Sequence, residues 1–391
     1  MNKTRKLLKL AVLIGFVISV SGWLLAAGET FVYVSAAEDG DIFSYQMNKA
    51  GVLTPLGKTK AGKLVMPMAV SRNKQFLYAI VRSEPLSVLT YAIDPKTGAL
   101  SQKATAPLPD SMAYVSTDAT GRFLFTASYG GDKIAVSPIN ENGLVESPAI
   151  QVLPTGRNAH SILADRSNRF VYVCNLGSNQ ILQYLFDAKT GKLTPNNPPL
   201  IKARPDNGPR HPVFSKDNRH LYVISELSGN VIQFAVNQRT GVLSELYYVK
   251  SVPPDSNLLP GSAREAMAPT STSGANTKII GGDDQPHIWA ADIQLTPNGK
   301  FLYTTERTNS TLTLFSVAPG TGKLTYVASY PTETQPRGIR IDSKGRYLVA
   351  SGEKSDRISV YKIDQKSGVL KSVGRYPVGH DANWVSIVDE P

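Results

Sequence analysis

The side chains best suited to proton transfer and anion binding lie far apart in this chain, yet most occupy one recurring place in a repeated pattern. His160, Arg210 with His211, His287 with Trp289 and Asp292, Arg337, and Asn383 with Trp384 each stand before a short phrase or the strand it introduces. Arg82, Tyr129, Asn175, Glu226, Glu306 with Arg307, and Glu353 each stand after one. Imidazoles and carboxylates exchange protons, and guanidinium groups hold a carboxylate, a phosphate or a developing oxyanion. Of the 5 histidines, His160, His211, His287 and, at a greater remove, His380 fall near these positions, while His220 lies inside a phrase. Each residue also has a plain structural reading. Arg210 and Glu226 can form an ion pair within one unit, His160 can bond a strand-end carbonyl, and Arg337 can cap a neighbouring unit. Trp289 and Trp384 can be packing, Glu306 and Arg307 can pair with each other, and Cys174 fits a small core position.

Other chemistries have no foothold. There is no Gly-x-Ser-x-Gly elbow, no dinucleotide fingerprint, and Gly320-Thr-Gly322 reads as a turn. A single cysteine excludes an intramolecular disulfide framework and any cysteine-built metal centre. No two histidines share a strand or helix at ligand spacing. Separate blades of a ring could still assemble a metal site, although no metal or cofactor is expected.

The element that positions these residues is a repeat. Its copies run Ser71 to Tyr78, Asp118 to Phe125, Asp165 to Tyr172, Ser215 to Tyr222, Thr296 to Tyr303 and Asp342 to Val349, with a degenerate copy at Thr30 to Tyr33. The aromatic or apolar ends (Tyr33, Tyr78, Phe125, Tyr172, Tyr222, Tyr303, Leu348) are 45, 47, 47, 50, 81 and 45 residues apart. A period of this length, built from alternating strands and Gly turns such as Pro95-Lys-Thr-Gly98, marks a blade of a β-propeller. The expected fold is all-β, a ring of seven four-stranded antiparallel blades in one domain over 29–391. Asn383 to Val388 lacks a hairpin and supplies the first blade's missing inner strand, so no sheet edge stays open. The start of each inner strand and the end of each second strand then share one mouth of the central channel, where polar groups converge.

Two segments stand apart. The 81-residue interval carries an insertion over 253–286, rich in Pro, Ser, Gly, Thr and Ala. It reads as a disordered surface loop, with a lid over the channel as the alternative. Residues 1–28 combine Lys3, Arg5, Lys6 and Lys9 with the apolar run Leu10 to Ala27 and a small-residue end, the pattern of an export signal. An uncleaved membrane anchor is the alternative, and either places the body outside the cytoplasm, in the periplasm. Without those four basic residues the net charge falls from +11 to +7. The remaining positive charge forms no block, which favours small anions over nucleic acid as partners. A monomer is expected.

Several phrases carry a resemblance. Gly208-Pro-Arg-His211, Ser225-Glu226-Leu227, Ile288-Trp-Ala-Ala-Asp292, Thr332-Glu-Thr-Gln-Pro-Arg-Gly338, Gly352-Glu-Lys-Ser355, Ile358-Ser-Val-Tyr361 and Gly374-Arg-Tyr-Pro-Val-Gly379 resemble the seven-bladed β-propeller lactonase family, in its bacterial 6-phosphogluconolactonase branch. The likeness runs from Thr30 to Val388. It implies a metal-independent hydrolase that opens sugar lactones. By the pattern of the family's fungal carboxymuconate lactonising enzymes, it also implies catalytic roles for His160, Arg210 and Glu226. Glu226 or His160 would be the general base, Arg210 would face the carbonyl oxygen, and Arg337 would bind an anionic group. His211, His287, Trp289 and Asp292 complete the expected substrate contacts. The export signal and the insertion depart from a cytoplasmic sugar-phosphate enzyme. A lactonising lyase and a non-catalytic exported scaffold are the alternative functions, separable by assays on muconates and lactones and by co-purification.

Overall fold

The computed structural model describes residues 30–268, 271, 283 and 285–389; residues 1–28, with the expected export signal, lie outside it. Its twenty-eight strands form seven four-stranded antiparallel sheets. Counting blades in chain order, the inner strands are Ala382–Asp389 (blade 1), Val65–Val70, Met112–Thr117, Ala159–Ala164, Pro209–Phe214, Ala290–Leu295 and Pro336–Ile341 (blade 7). Ala382–Asp389 pairs with Thr30–Ala36 from Thr30↔Asp389 to Ser35↔Trp384, and Thr30 Oγ1 donates to Asp389 Oδ1 at 2.8 Å. Both ends of the chain thus close one blade, and the ring is complete.

The repeated phrase has a physical explanation at three of its positions. Its first residue caps the turn before the second strand. The Asp118 and Asp165 carboxylates accept the Phe123 and Phe170 amides at 3.0 and 2.9 Å, and the hydroxyls of Ser71, Ser215 and Thr296 accept the amides of Phe76, His220 and Phe301 at 2.9–3.0 Å. Its fourth residue takes positive φ in six copies (Lys74, Gly121, Asn168, Asn218, Gly299, Gly345), which favours Gly and Asn. Its eighth residue staples the ring together. The hydroxyls of Tyr33, Tyr78, Tyr172, Tyr222 and Tyr303 donate to the carbonyls of Gly98, Gly143, Gly241, Gly322 and Gly368, each in the next blade, at 2.6–3.0 Å. Apolar clusters fill the spaces between adjacent blades, as where Phe170, Tyr172 and Cys174 of blade 4 pack on Leu221, Val223 and Phe234 of blade 5.

The insertion is described only in part, since 269–270, 272–282 and 284 lie outside the described residues. Its described residues up to Ala268 form a strap across the mouth. The Leu259 amide donates to the Pro286 carbonyl at 3.0 Å, the Ile288 amide to the Leu259 carbonyl at 2.9 Å, and the Gly261 amide to the Leu227 carbonyl at 2.7 Å. Ala263 packs on Ala113, Tyr129, Leu176 and Leu227, and Met267 packs with Ala37, Leu64 and Met66. Apolar side chains spaced along a polar, Pro-rich stretch are what hold the strap down.

Candidate active site

Every inner strand breaks register with its neighbour at the mouth end, and the residue left over is the one aimed at the channel. His160 lies between Ala159↔Asn175 and Ser161↔Cys174, Arg210 between Pro209↔Ser225 and His211↔Ile224, and Arg337 between Pro336↔Gly352 and Gly338↔Ser351. The same irregularity isolates Ala113, Asn383, and the pair Ala291–Asp292. A bulge inserts an unpaired residue and re-aims its side chain. Seven bulges in a ring therefore turn seven separate strands into one convergent site.

A chain of alternating charge crosses blades 5, 6 and 7 at this level. Arg210 Nε lies 2.7 Å from Glu226 Oε2, which also accepts Arg307 Nη2 at 2.8 Å. Arg307 Nη1 is 3.9 Å from Glu353 Oε2, and Glu353 Oε1 accepts Arg337 Nη1 at 3.1 Å. The chain is almost wholly buried: Arg210 is 0% exposed, Glu226, Arg307 and Glu353 3% each. Burial alone would raise the Glu226 carboxyl, but Arg307 and Arg210 outweigh it and hold the group below the usual glutamate range. Arg307, desolvated and beside other arginines, is pushed down to about 9 and stays cationic at neutral pH. Glu306 belongs to a different network: its carboxylate accepts the Trp289 and Asn309 amides at 2.7 and 2.6 Å, so the expected Glu306–Arg307 pair is replaced by Arg307–Glu226.

Over this chain lies a cavity of about 50 Å³ lined by His160, Glu226, Trp289, Arg307 and Arg337, by Arg82 and Tyr129 opposite, and by Arg264, Glu265 and Met267 of the strap. Trp289 is neither plain packing nor an open platform; its ring is held between the guanidinium groups of Arg307 and Arg264, 3.7 and 3.4 Å from the centroid. The Tyr129 hydroxyl donates to the Arg264 carbonyl at 2.9 Å and pins the strap. His160 is 5% exposed, and its Nδ1 is buried with no partner among the described residues. Burial first, then Arg210, His211, Arg337 and Arg307, drives its pKa well below the ordinary histidine value. His160 is therefore a neutral imidazole facing a cationic cavity.

The remaining expected site residues go elsewhere. Arg210 lies beneath the cavity: Nη1 donates to the Ala291 carbonyl, and Nη2 is buried without a partner among the described residues. His211 packs against His160, ring centroids 5.1 Å apart, but points down the channel, where its Nδ1 lies 3.0 Å from Asp292 Oδ1. Burial and Arg210, against the pull of Asp292, lower its pKa to about 4. His211, Asp292, Tyr114 and Trp384 line a second chamber of about 260 Å³ further along the channel. His287 anchors the strap, its ring nitrogens 2.7 Å from Pro260 O and Asp283 Oδ1, and it does not line the mouth cavity. His380 is exposed and bonds Asp39. Sequence reasoning placed Arg82, Tyr129 and Arg307 at the mouth without assigning them roles, and it passed over Met66, Arg264 and Met267. The last two stood in a segment whose only signal was an isolated arginine and methionine among Pro, Ser and Ala.

What this arrangement can do is accept a proton at His160 while cations hold a negative oxygen nearby. Similarity to known proteins agrees with that chemistry. The 6-phosphogluconolactonase of Serratia proteamaculans is 38% identical over 358 residues, covering 91% of this chain and 98% of its own length. The Erwinia tasmaniensis 6-phosphogluconolactonase is 38% identical over 356 residues, with the same coverage. Among solved structures, the periplasmic gluconolactonase of Pseudomonas aeruginosa superposes with a TM-score of 0.79 at 23% identity, covering 93% of this chain and 99% of that one. The family described as "Lactonase, 7-bladed beta-propeller" matches residues 31–387, and this chain belongs to it.

Proposed function

We propose that this protein is a sugar-lactone hydrolase, a carboxylic ester hydrolase of the 6-phosphogluconolactonase kind, acting at the channel mouth. One observation carries the placement: a buried, neutral His160 faces the same cavity as Arg307 and Arg337 in a chain of the lactonase family. A water held against His160 adds to the lactone carbonyl carbon as the imidazole takes its proton. The carbonyl oxygen, now an oxyanion, lies against Arg307 and Arg337. The tetrahedral centre collapses, the ring oxygen leaves with the proton returned by His160, and the product is the open hydroxy acid. Arg210 acts as a positioning residue, holding Glu226 and keeping His160 deprotonated, in place of the contact to the carbonyl oxygen first expected of it. Glu226, committed to two arginines and held ionised, fixes Arg307 rather than serving as the base.

The cations that polarise the carbonyl in this scheme are side chains of the protein, so the reaction is taken to need no metal and to survive dialysis against EDTA. His160→Asn in folded protein is expected to lose about 10²–10⁴ in kcat on glucono-δ-lactone, corrected for spontaneous opening. Retention of wild-type turnover by that variant would refute the assignment. The protein is further proposed to be exported as a monomer, on the basic-apolar-small pattern of residues 1–28; N-terminal sequencing of the periplasmic fraction distinguishes a cleaved signal from a retained anchor.

A further inference from the structure

The face of the ring opposite the mouth carries most of the chain's surplus charge. In six blades the turn from the inner strand to the second strand lies there, at 71–75, 118–122, 165–169, 215–219, 296–300 and 342–346. Blade 1 closes at the same level through Thr30 and Asp389. Neighbouring turns touch all the way round. Lys74 Nζ donates to the Asp389 carbonyl at 3.0 Å, Asn168 Nδ2 to Asp118 Oδ2 at 2.8 Å, Asn218 Nδ2 to Asp165 Oδ2 at 2.7 Å, and the Ser343 amide to Asp389 Oδ2 at 2.7 Å. Gly121, Gly299 and Gly345 abut Arg72, Lys216 and Pro297 of the preceding blade. These turns and Asp389 hold ten basic residues against five acidic ones, a surplus of five out of the +7 left once residues 1–28 are set aside. Along the sequence the basic residues form no block; the ring gathers them into one.

The surplus lies at the surface. Arg72, Arg122, Arg166, Lys216, Lys300 and Lys344, one from each turn, are exposed, and none forms an ion pair among the described residues. Of the other four, Arg219 pairs with Asp217 and Arg346 with Asp342, at 2.6 and 3.3 Å. Asp118, Asp165, Asp342 and Asp389 are buried in caps and in the ring closure, which leaves Asp217 as the exposed acid of the set. Arg340, next to the end of the blade 7 inner strand, adds an exposed cation at the lower end of the channel. On the outer rim of this face opposite charges largely cancel, as in Asp94 with Lys96, Asp187 with Lys189 and Asp364 with Lys366. Phe123, Phe170 and Tyr347 are buried beneath Arg122, Arg169 and Arg346 and offer no stacking platform for nucleic-acid bases. The chain also enters the fold here: the apolar run Leu10 to Ala27 ends three residues before Thr30, a span of at most about 11 Å.

We infer that this face docks on an anionic phospholipid surface, with the channel mouth turned away toward the aqueous phase. Basic groups near such a surface are drawn to its acidic headgroups, and a ring of cations adds these attractions over one wide contact. The docking is independent of the reaction proposed at the mouth.

Every strand of the ring pairs within 30–389, so the test uses chain 29–391 and co-sedimentation with equimolar phosphatidylglycerol–phosphatidylcholine vesicles at about 0.1 M salt. Wild type should bind these vesicles, ignore pure phosphatidylcholine, and come off at about 1 M salt. Each Lys or Arg at the surface is worth roughly 5-fold in binding, so Arg72→Gln combined with Lys216→Gln and Lys344→Gln should lower partition by about 100-fold. Lys63, Lys250 and Lys354 are exposed at the mouth end of their strands. Changing those three to Gln removes the same net charge about 20 Å away, beyond the reach of screened attraction, and should lower partition by less than about 3-fold. All six positions are outside the mouth cavity, and an unchanged Tm verifies that each triple variant is folded. An equal fall in both triple variants, or binding to pure phosphatidylcholine, overturns the inference. A protein that ignores the vesicles yet shifts a DNA duplex at the same salt overturns it in favour of a nucleic-acid face.

Discussion

Removing the charge of Glu226 tests the most connected group of the site. In Glu226→Gln the side chain keeps its shape, but Arg210 loses its counter-ion at 2.7 Å and Arg307 loses the nearer of two, at 2.8 Å, keeping Glu353 at 3.9 Å. Breaking a buried ion pair by deleting one partner costs about 3–5 kcal/mol, because the remaining charge is left desolvated and uncompensated. Unfolding entropy of about 2.1 cal/mol/K per residue over roughly 360 residues gives about 0.75 kcal/mol/K, so the Tm should fall by about 4–7 °C. Activity separates two roles. If Glu226 fixes Arg307, the variant retains measurable turnover, well above that of His160→Asn. If it is itself the base, it loses as much as His160→Asn does. A third readout is the acid limb of the pH–rate profile. An uncompensated Arg210 and a less balanced Arg307 should push the His160 pKa lower still, moving the limb to more acidic pH. Calorimetry and stopped-flow lactone opening on both variants decide the matter. A Tm within about 1 °C of wild type would refute the claim that this charge chain holds the mouth together.

Three further outcomes follow from the same structure. His160 and His211 have folded pKa values below the unfolded value near 6.5, so the unfolded chain takes up protons first on acidification. Stability should be fully present above about pH 6.5 and fall toward pH 4, by on the order of 3 kcal/mol for His211; the Tm–pH slope should flatten in His211→Asn. Tyr172→Phe removes a buried bond of 2.6 Å to the Gly241 carbonyl and should cost about 1 kcal/mol in chemical denaturation, leaving lactone turnover unaltered. Met267→Asp places a charge in the contact with Leu64 and Met66 and should speed tryptic cleavage after Arg264 and lower kcat/KM, with a Tm drop below about 3 °C; unchanged cleavage would mean that the strap is held by other contacts.

The ring was legible because its signals repeat. A cap residue, a positive-φ residue and a stapling tyrosine recur in nearly every blade, so six copies of one turn reinforce one another. The site was legible only in part, for a physical reason. Strand alternation predicts side chains by period two, and at the mouth each inner strand abandons that period. His160 and Arg337 were found because chemistry singled them out at strand starts. His211, one residue beyond its bulge, and Asp292, the second residue of a two-residue bulge, face the lower chamber instead. Whether a guanidinium is balanced also depends on pairs such as Arg307–Glu226, 81 residues apart, which no local pattern reveals. His287 sits at a rim position by sequence, but the strap it anchors takes both of its ring nitrogens.

Rigidity and access make opposite demands on this mouth, and the structure meets them with different materials. His160 and Arg337 sit on bulged inner strands, and ion pairs tie Arg210, Glu226, Arg307, Glu353 and Arg337 across three blades. The mouth cavity is walled on one side by Arg264, Glu265 and Met267 of the strap. The strap is attached differently: a few backbone bonds near Leu259 and Gly261, one tyrosine hydroxyl, and the small apolar contacts of Ala263 and Met267. Such contacts open at far lower cost than buried ion pairs, and segments that cover active sites come from the least stable parts of a fold. The strap also lays Arg264 on the face of Trp289 opposite Arg307. Under the proposed hydrolysis, the strap thereby supports Arg307, the cation assigned to the oxyanion, through the far face of Trp289.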